Sequence, residues 1–317
     1  MFHIEYKVKD GFDIVILIDQ ATNTFVEIIP ACGAILHAFS VAIGNGNLNV
    51  IQSYSNADEF QHAEELGFLG CKLSPFVCRM RNGNYTFGEE DYHVDKFNLG
   101  QHALHGLIYD AAFTISKQSA DGNMASVEMV YSYNKNDPGF PFSYDCTVTY
   151  KLEKGNMLSV STRINNCTEG LIPMQDGWHP YFTLGDKIDT LQLEFQSKEI
   201  LEFNDELLPT GKYNPYQEFG SLKTIHNTIL DNCFTLNFAE CQPMCVLRNP
   251  EKKIEVQIIP DRAYPFLQLY TPPHRNSIAI ENLSSPPDGF NNKIGLHVLA
   301  AGESVTFTTQ YKINLLD

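Results

Sequence analysis

The sequence predicts an all-β protein, a large antiparallel β-sandwich. Patterns with a helical period are scarce, while short runs rich in β-branched and aromatic residues, each bounded by turn formers, recur along the chain. The runs come at near-regular spacing, with no linker, low-complexity stretch, internal repeat or alternation with helices, which favours a sandwich over an alternating βα fold. At 317 residues the chain can bury a large core, and it reads as one domain over residues 1–317.

Asp13–Ile18, Thr24–Ile29 and Ala34–Ile43 read as the first three strands, separated by the turn-forming stretches Asp19–Asn23 and Pro30–Gly33. Asn56–Leu66 is polar and reads as a loop or a short helix. Asn82-Gly83 is a hairpin turn signal between a strand carrying Arg79 and Arg81 and a returning strand Asn84–Phe87. Arg79 and Arg81 alternate with apolar residues and are expected on one strand face. Ser126–Tyr133, Phe142–Lys151 and Met157–Ile164 form a meander, followed by Asp189–Phe195. Val246–Asn249, Ile254–Ile259, Phe266–Tyr270, Ser277–Glu281 and Ser304–Lys312 complete the strands.

Composition narrows the function. With 22 Lys+Arg against 38 Asp+Glu the formal net charge is −16, which argues against nucleic acid and anionic membrane surfaces. The first ten residues are mixed and charged, unlike a signal peptide, and no apolar run reaches the roughly 18 residues of a membrane span. The eight cysteines form no CxxC pair and read as reduced, buried small hydrophobes, so the expected location is the cytoplasm. His102 and His105, three apart, would face opposite sides of a strand. No metal and no cofactor is expected.

Two stretches concentrate chemistry. In Gly177-Trp178-His179-Pro180-Tyr181-Phe182, Pro180 lacks a backbone donor, so His179 is expected at a strand end or bend, its ring free for proton transfer. In Ile278-Ala279-Ile280-Glu281, a carboxylate ends a strand that reads as buried on both faces. Asp231 stands in the apolar setting Ile229–Phe234.

Taken together, these segments resemble the aldose 1-epimerase (galactose mutarotase) family, in its bacterial branch with a Trp-His-Pro-Tyr-Phe stretch. The matches run in order along nearly the whole chain: Pro75-Phe76-Val77-Cys78-Arg79-Met80, Leu104-His105-Gly106, Gly177–Leu184, Leu208-Pro209-Thr210-Gly211, Asp231 with Phe234, and Ile280-Glu281 with Pro287–Asn291. Cys78 departs from the family's usual Asn, Leu107 from a Gly, and Asn282-Leu283 from Pro-Met. The resemblance implies a mutarotase-like β-supersandwich and a small-molecule sugar substrate, with no nucleic-acid or membrane partner; it leaves the oligomeric state open.

It further implies acid–base conversion of α and β anomers of free aldohexoses. Glu281 would be the general base toward the C1 hydroxyl and His179 the general acid toward the ring oxygen, on opposite sides of the sugar ring. Arg79, His105 and Asp231 would hold the sugar, and Trp178, Phe234 and Arg81 are possible further contacts. Three rivals remain: a hexose-6-phosphate 1-epimerase using Arg81, a non-catalytic sugar-binding protein, and a glycoside hydrolase or lyase. The last would need paired carboxylates rather than a carboxylate and a histidine.

Overall fold

The computed structural model describes residues 1–96 and 98–316. Among them, two nine-stranded antiparallel sheets and a five-stranded N-terminal sheet dominate. The first large sheet runs Thr114–Ala120, Met124–Asn134, Ser143–Glu153, Met157–Asn166, Ser304–Leu315, Ile254–Pro260, Cys245–Asn249, Gln192–Phe195 and Lys223–Thr224. The second runs Pro209–Pro215, Ser197–Phe203, Asp231–Leu236, Phe266–Tyr270, Ile278–Leu283, Gly177–Trp178 and Lys72–Leu73, with Tyr181–Phe182 and Ile51–Gln52 joined to its side.

The two large sheets pack face to face. Tyr150 meets Trp178, Phe182 meets Tyr311 and Phe195 meets Phe234 in this interior. In Ser143–Glu153, residues alternate between buried and half-buried along all eleven positions, as a strand with one wetted face must. Ile278–Leu283 is buried at every position. Its Ile278 and Ile280 enter the core between the large sheets, while Ala279 and Leu283 join a second apolar cluster beneath the N-terminal sheet, with Phe12, Ile14 and Ile35. The centre of the second large sheet is therefore covered on both faces.

Several expected boundaries shift. The polar N-terminus forms the strand Phe2–Lys9, paired along its length with Phe12–Asp19. Asn56 caps a short helix Ala57–Phe60 by accepting from the Glu59 amide. Asn82-Gly83 does not close the expected hairpin. Arg81–Gly83 is a 3-10 turn, Arg79–Met80 pairs with His102–Leu104, and Asn84–Phe87 pairs with Glu90–His93. The turn residues marked a real turn, but they could not name the partner strand. Within the matched stretch Leu208–Gly211 a strand begins, Pro209–Pro215, paired with Ser197–Phe203. All eight cysteines are free; six are buried and Cys167 and Cys241 are exposed. No helix among the described residues is long and apolar enough to cross a membrane.

Candidate active site

A cavity of about 190 Å³ opens on the face of the second large sheet that looks away from the first. Its floor is set by strand register. Cys233, Gln268 and Glu281 lie side by side on three neighbouring strands, and Asp231 lies beside Tyr270. Side chains alternate faces along a strand, so Asp231, Gln268, Tyr270 and Glu281 share the cavity side, while Phe234, Leu267, Leu269 and Ile280 enter the core. Glu281 is not at a strand end; the strand continues to Leu283.

His179 and Pro180 occupy the break between Gly177–Trp178 and Tyr181–Phe182. The break remains anchored: the His179 amide donates to Cys71 O, Gly70 N donates to His179 O, and Ile280 N donates to Pro180 O. The His179 ring stacks on Tyr181 with centroids 5.0 Å apart, and the Tyr181 hydroxyl donates to Gly67 O. His105 approaches edge-on, 5.0 Å from the His179 ring, backed by Phe68 at 4.8 Å. His105 has φ of 61° and Cys78 has φ of 49°; the His105 amide donates to Cys78 O. Both residues leave regular strand geometry where their side chains reach the cavity. Gly106 cannot be replaced, since a Cβ there would lie 2.2 Å from Ser74 O.

The central contact joins His179 Nε2 and Glu281 Oε1 at 3.4 Å, with both side chains nearly inaccessible. Glu281 Oε2, His179 Nδ1, His105 Nδ1 and Gln268 Oε1 are buried without a protein hydrogen-bond partner among the described residues. Buried polar atoms are almost always paired, so four orphans on one cavity wall mark a surface built for polar groups of a ligand.

Burial drives the electrostatics. It pushes the Glu281 carboxyl well above its usual range, and the Asp231 charge adds to this. It lowers His179 to about 4, and it lowers His105 well below the usual histidine value, with His179 and Arg79 adding to the effect. Asp231 is raised by burial, against the opposing pull of Arg79 and of the hydrogen bond from Gln268 Nε2 at 3.0 Å. The thiols of Cys71, Cys78 and Cys233 are buried around Glu281; an apolar wall of this kind favours a neutral carboxyl.

The structure thus brings together Glu281, His179, His105, Asp231 and Arg79, all of which line the cavity. It does not bring Trp178, Phe234 or Arg81 there. Trp178 points into the core, its Nε1 donating to Thr162 Oγ1. Phe234 is fully buried against Phe195 and Tyr216. It stands three residues from Asp231, an odd interval that puts the two on opposite strand faces. Arg81 shares no face with Arg79, because the 3-10 turn carries it away to a separate polar depression with Tyr92 and His93. His102 and His105 part company: His102 accepts from the Asn82 amide. No group of three or more His, Cys, Asp or Glu among the described residues is placed to hold a metal ion.

Of the departures noted in the sequence, Cys78 lines the cavity. Leu107 lies in the core, and Asn282, also buried, accepts from Thr309 Oγ1. Gln268, like Tyr270 beside it on the same face, is a polar cavity residue that sequence reading missed. Its signal was a polar residue inside the apolar run Phe266–Tyr270, opposite the register position of Glu281.

The aldose 1-epimerase family model matches residues 15–312. An uncharacterized Escherichia coli K12 protein, YihR, is 25% identical over 248 residues, spanning 75% of this chain and 77% of YihR. The aldose 1-epimerase of Streptococcus thermophilus is 25% identical over 189 residues, 57% of this chain and 52% of that enzyme. Among solved structures, a galactose mutarotase-like protein from Clostridium acetobutylicum superposes with a TM-score of 0.88 at 16% identity, covering 99% of both chains. Galactose 1-epimerase from Lactobacillus acidophilus superposes with a TM-score of 0.81 at 21% identity over the full length of both. The fold is therefore the galactose mutarotase-like β-sandwich, and the chain belongs to the aldose 1-epimerase family of isomerases.

Proposed function

We propose that the protein interconverts the α and β anomers of free aldohexoses, with Glu281 and His179 as its proton-transfer pair. The observation that carries this is the buried 3.4 Å contact between the two, on a wall whose remaining polar atoms lack protein partners. Anomer exchange opens a hemiacetal and closes it on the other face. The Glu281 carboxylate takes the proton of the C1 hydroxyl, a C1=O bond forms, the bond from C1 to the ring oxygen breaks, and protonated His179 gives its proton to that oxygen. After rotation about C1–C2 the steps reverse, and the proton returns to each partner. The hydroxyl and ring oxygens are attached to one carbon, so a base and an acid that are immediate neighbours suit them.

The pair needs one proton between its members. Burial favours the form with that proton on Glu281 and a neutral His179. Hydroxyls of a bound sugar would make the site more polar and bring the ion-paired form within reach. A carboxylate of raised pKa is a stronger base and a histidine of lowered pKa a stronger acid, which suits the transfer. Asp231 accepts and Arg79 donates; with His105 and Gln268 they fix the sugar's hydroxyls. Among the described residues the cavity offers a single guanidinium and no second Lys or Arg, short of the converging cations a 6-phosphate wants. A protein that only bound sugar would have no use for a matched acid and base.

Polarimetry on freshly dissolved α-glucose and α-galactose tests the reading. Catalysed mutarotation that survives exhaustive chelation is expected, with higher kcat/KM for glucose than for glucose 6-phosphate at one ionic strength. No acceleration over the buffer rate with any aldohexose would overturn it.

A further inference from the structure

Behind the proton-transfer pair lies a second buried pair that the chemistry above does not use. Lys72 Nζ and Asp176 Oδ2 are 2.5 Å apart, and both side chains are fully buried. Lys72 Nζ also donates to Gly177 O at 3.0 Å and stands 4.5 Å from the centre of the Trp178 ring. Asp176 Oδ1 accepts from the Tyr264 hydroxyl at 2.5 Å. The main chain of Asp176 is tied as well: its amide donates to Ser284 Oγ and its carbonyl accepts from the Ser284 amide, each at 2.9 Å.

Three segments meet at this point. One carries Lys72, the second carries Asp176 and His179, and the third carries Glu281 and Ser284. Gly177 is in register with both Leu73 and Leu283, and Trp178 with Lys72. The middle segment holds only two residues of strand; beyond them His179 is tied by one backbone hydrogen bond each to Cys71 and Gly70, and the ion pair clamps the other end of the segment to the strand that carries Lys72. Replacing a buried ion pair with apolar residues is often neutral or stabilising, so this pair's presence points to a task other than stability.

We infer that the Lys72–Asp176 pair is a positioning device that locks the His179 segment between its neighbours and so sets the spacing of His179 and Glu281. The inference rests on reading those two residues as the proton-transfer pair. Lys72 and Asp176 together carry no net charge, so removing both charges leaves the charge around the cavity unchanged. The pair's dipole is lost along with its charges, so Lys72→Arg, which keeps both charges, isolates the geometric part, and small misplacements of reacting groups cost up to about 10²-fold.

The test is the double substitution Lys72→Met/Asp176→Asn. It removes both charges and leaves an acceptor for Tyr264, whereas either single change strands a buried charge. Steady-state kinetics with α-glucose and a ¹⁵N NMR titration of the His179 ring are run on the folded double variant and the unmodified protein. The expected result is a kcat lower by about 10–100-fold with KM within about 2-fold, together with a shifted His179 midpoint. Either readout at its original value, or a loss carried by KM, overturns the proposal. If the unmodified protein converts no anomers, the reaction assignment fails by itself, and the His179 titration alone decides the positioning role. If the double variant does not fold, Lys72→Arg replaces it, keeping the charge while exchanging a compact donor for a planar fork. The same lowered kcat and shifted midpoint are then expected, and an unchanged value of either overturns the proposal.

Discussion

Two buried acid–base pairs flank one short stretch of backbone, and their surroundings differ. Lys72–Asp176, on the side facing the other large sheet, is in contact at 2.5 Å, with Gly177 O and the Tyr264 hydroxyl as further partners and Asp176 Oδ2 held by the ion pair alone. His179–Glu281, on the cavity side, stands at 3.4 Å, and each partner keeps an atom with no protein partner. The first arrangement is what a low-dielectric interior demands of charges that must stay put. Burial raises the Asp176 carboxyl too, but there Lys72 and the Tyr264 hydroxyl oppose the shift, whereas at Glu281 the Asp231 charge adds to it and the second pair leaves its remaining valences open. One sheet thus carries an open pair on its cavity face and a closed, ion-paired one on its core face.

The largest effects should come from the open pair. Glu281→Gln and His179→Asn are each expected to lower kcat by at least about 10²-fold, with circular dichroism unchanged. Near-normal kcat in either variant would remove that residue from the chemistry. Breaking the ion pair by removing one member should show in stability as well. Lys72→Met strands the Asp176 carboxylate and is expected to cost about 3–5 kcal/mol, read from urea unfolding midpoints. A loss below about 1 kcal/mol would show that water or a rearranged partner reaches Asp176, and the contrast between the two pairs would fail.

Sugar-holding residues should sit between these extremes. Arg79→Ala, His105→Ala and Asp231→Ala are expected to lower kcat/KM by about 10-fold or more, whereas Arg81→Ala and Phe234→Leu should leave it within about 2-fold. Both latter residues lie off the cavity. Equal losses across all five would mean that the cavity wall does not select the substrate.

How much of this was legible in the sequence follows from which rules are local. Strand alternation gave most of the sheets, because apolar periodicity is set by the chain itself. The segments carrying His179 and Glu281 stood out because Pro180 breaks a ladder and a glutamate follows an apolar run. Placement on a face was partly legible as well. Asp231 and Phe234 are an odd number apart, and so are Trp178 and His179, so period two alone sends the aromatic partner of each to the core. Pairing partners were not legible: Asn82-Gly83 announces a turn, but the strand beside Arg79 comes from residues 102–104. Gln268 and Lys72 acquire meaning only through register with Glu281 and Trp178, which is long-range information.

The smallest effect is the most specific to the contrast, and it concerns stability against pH. Glu281 is held above its unfolded value, near 4.3, chiefly by burial. Between that value and its folded one, the unfolded chain binds fewer protons than the folded protein, so this group's contribution to stability falls as pH rises. His179 works the other way. With a folded value of about 4 against about 6.5 unfolded, its contribution is complete above pH about 6.5 and is lost as pH falls toward 4. Glu281→Gln removes the first slope and keeps the second. The variant should therefore match the unmodified protein near pH 4 and exceed it progressively toward pH 8. A gain on the order of 2–4 °C in Tm is what ~1 kcal/mol produces in chains of 150–250 residues. Melting curves at pH 4.5, 6 and 8 decide it. A Tm difference that is constant with pH, or a variant less stable at pH 8, would mean that the folded site does not hold Glu281 above its unfolded value, and that the two pairs do not differ in the way proposed.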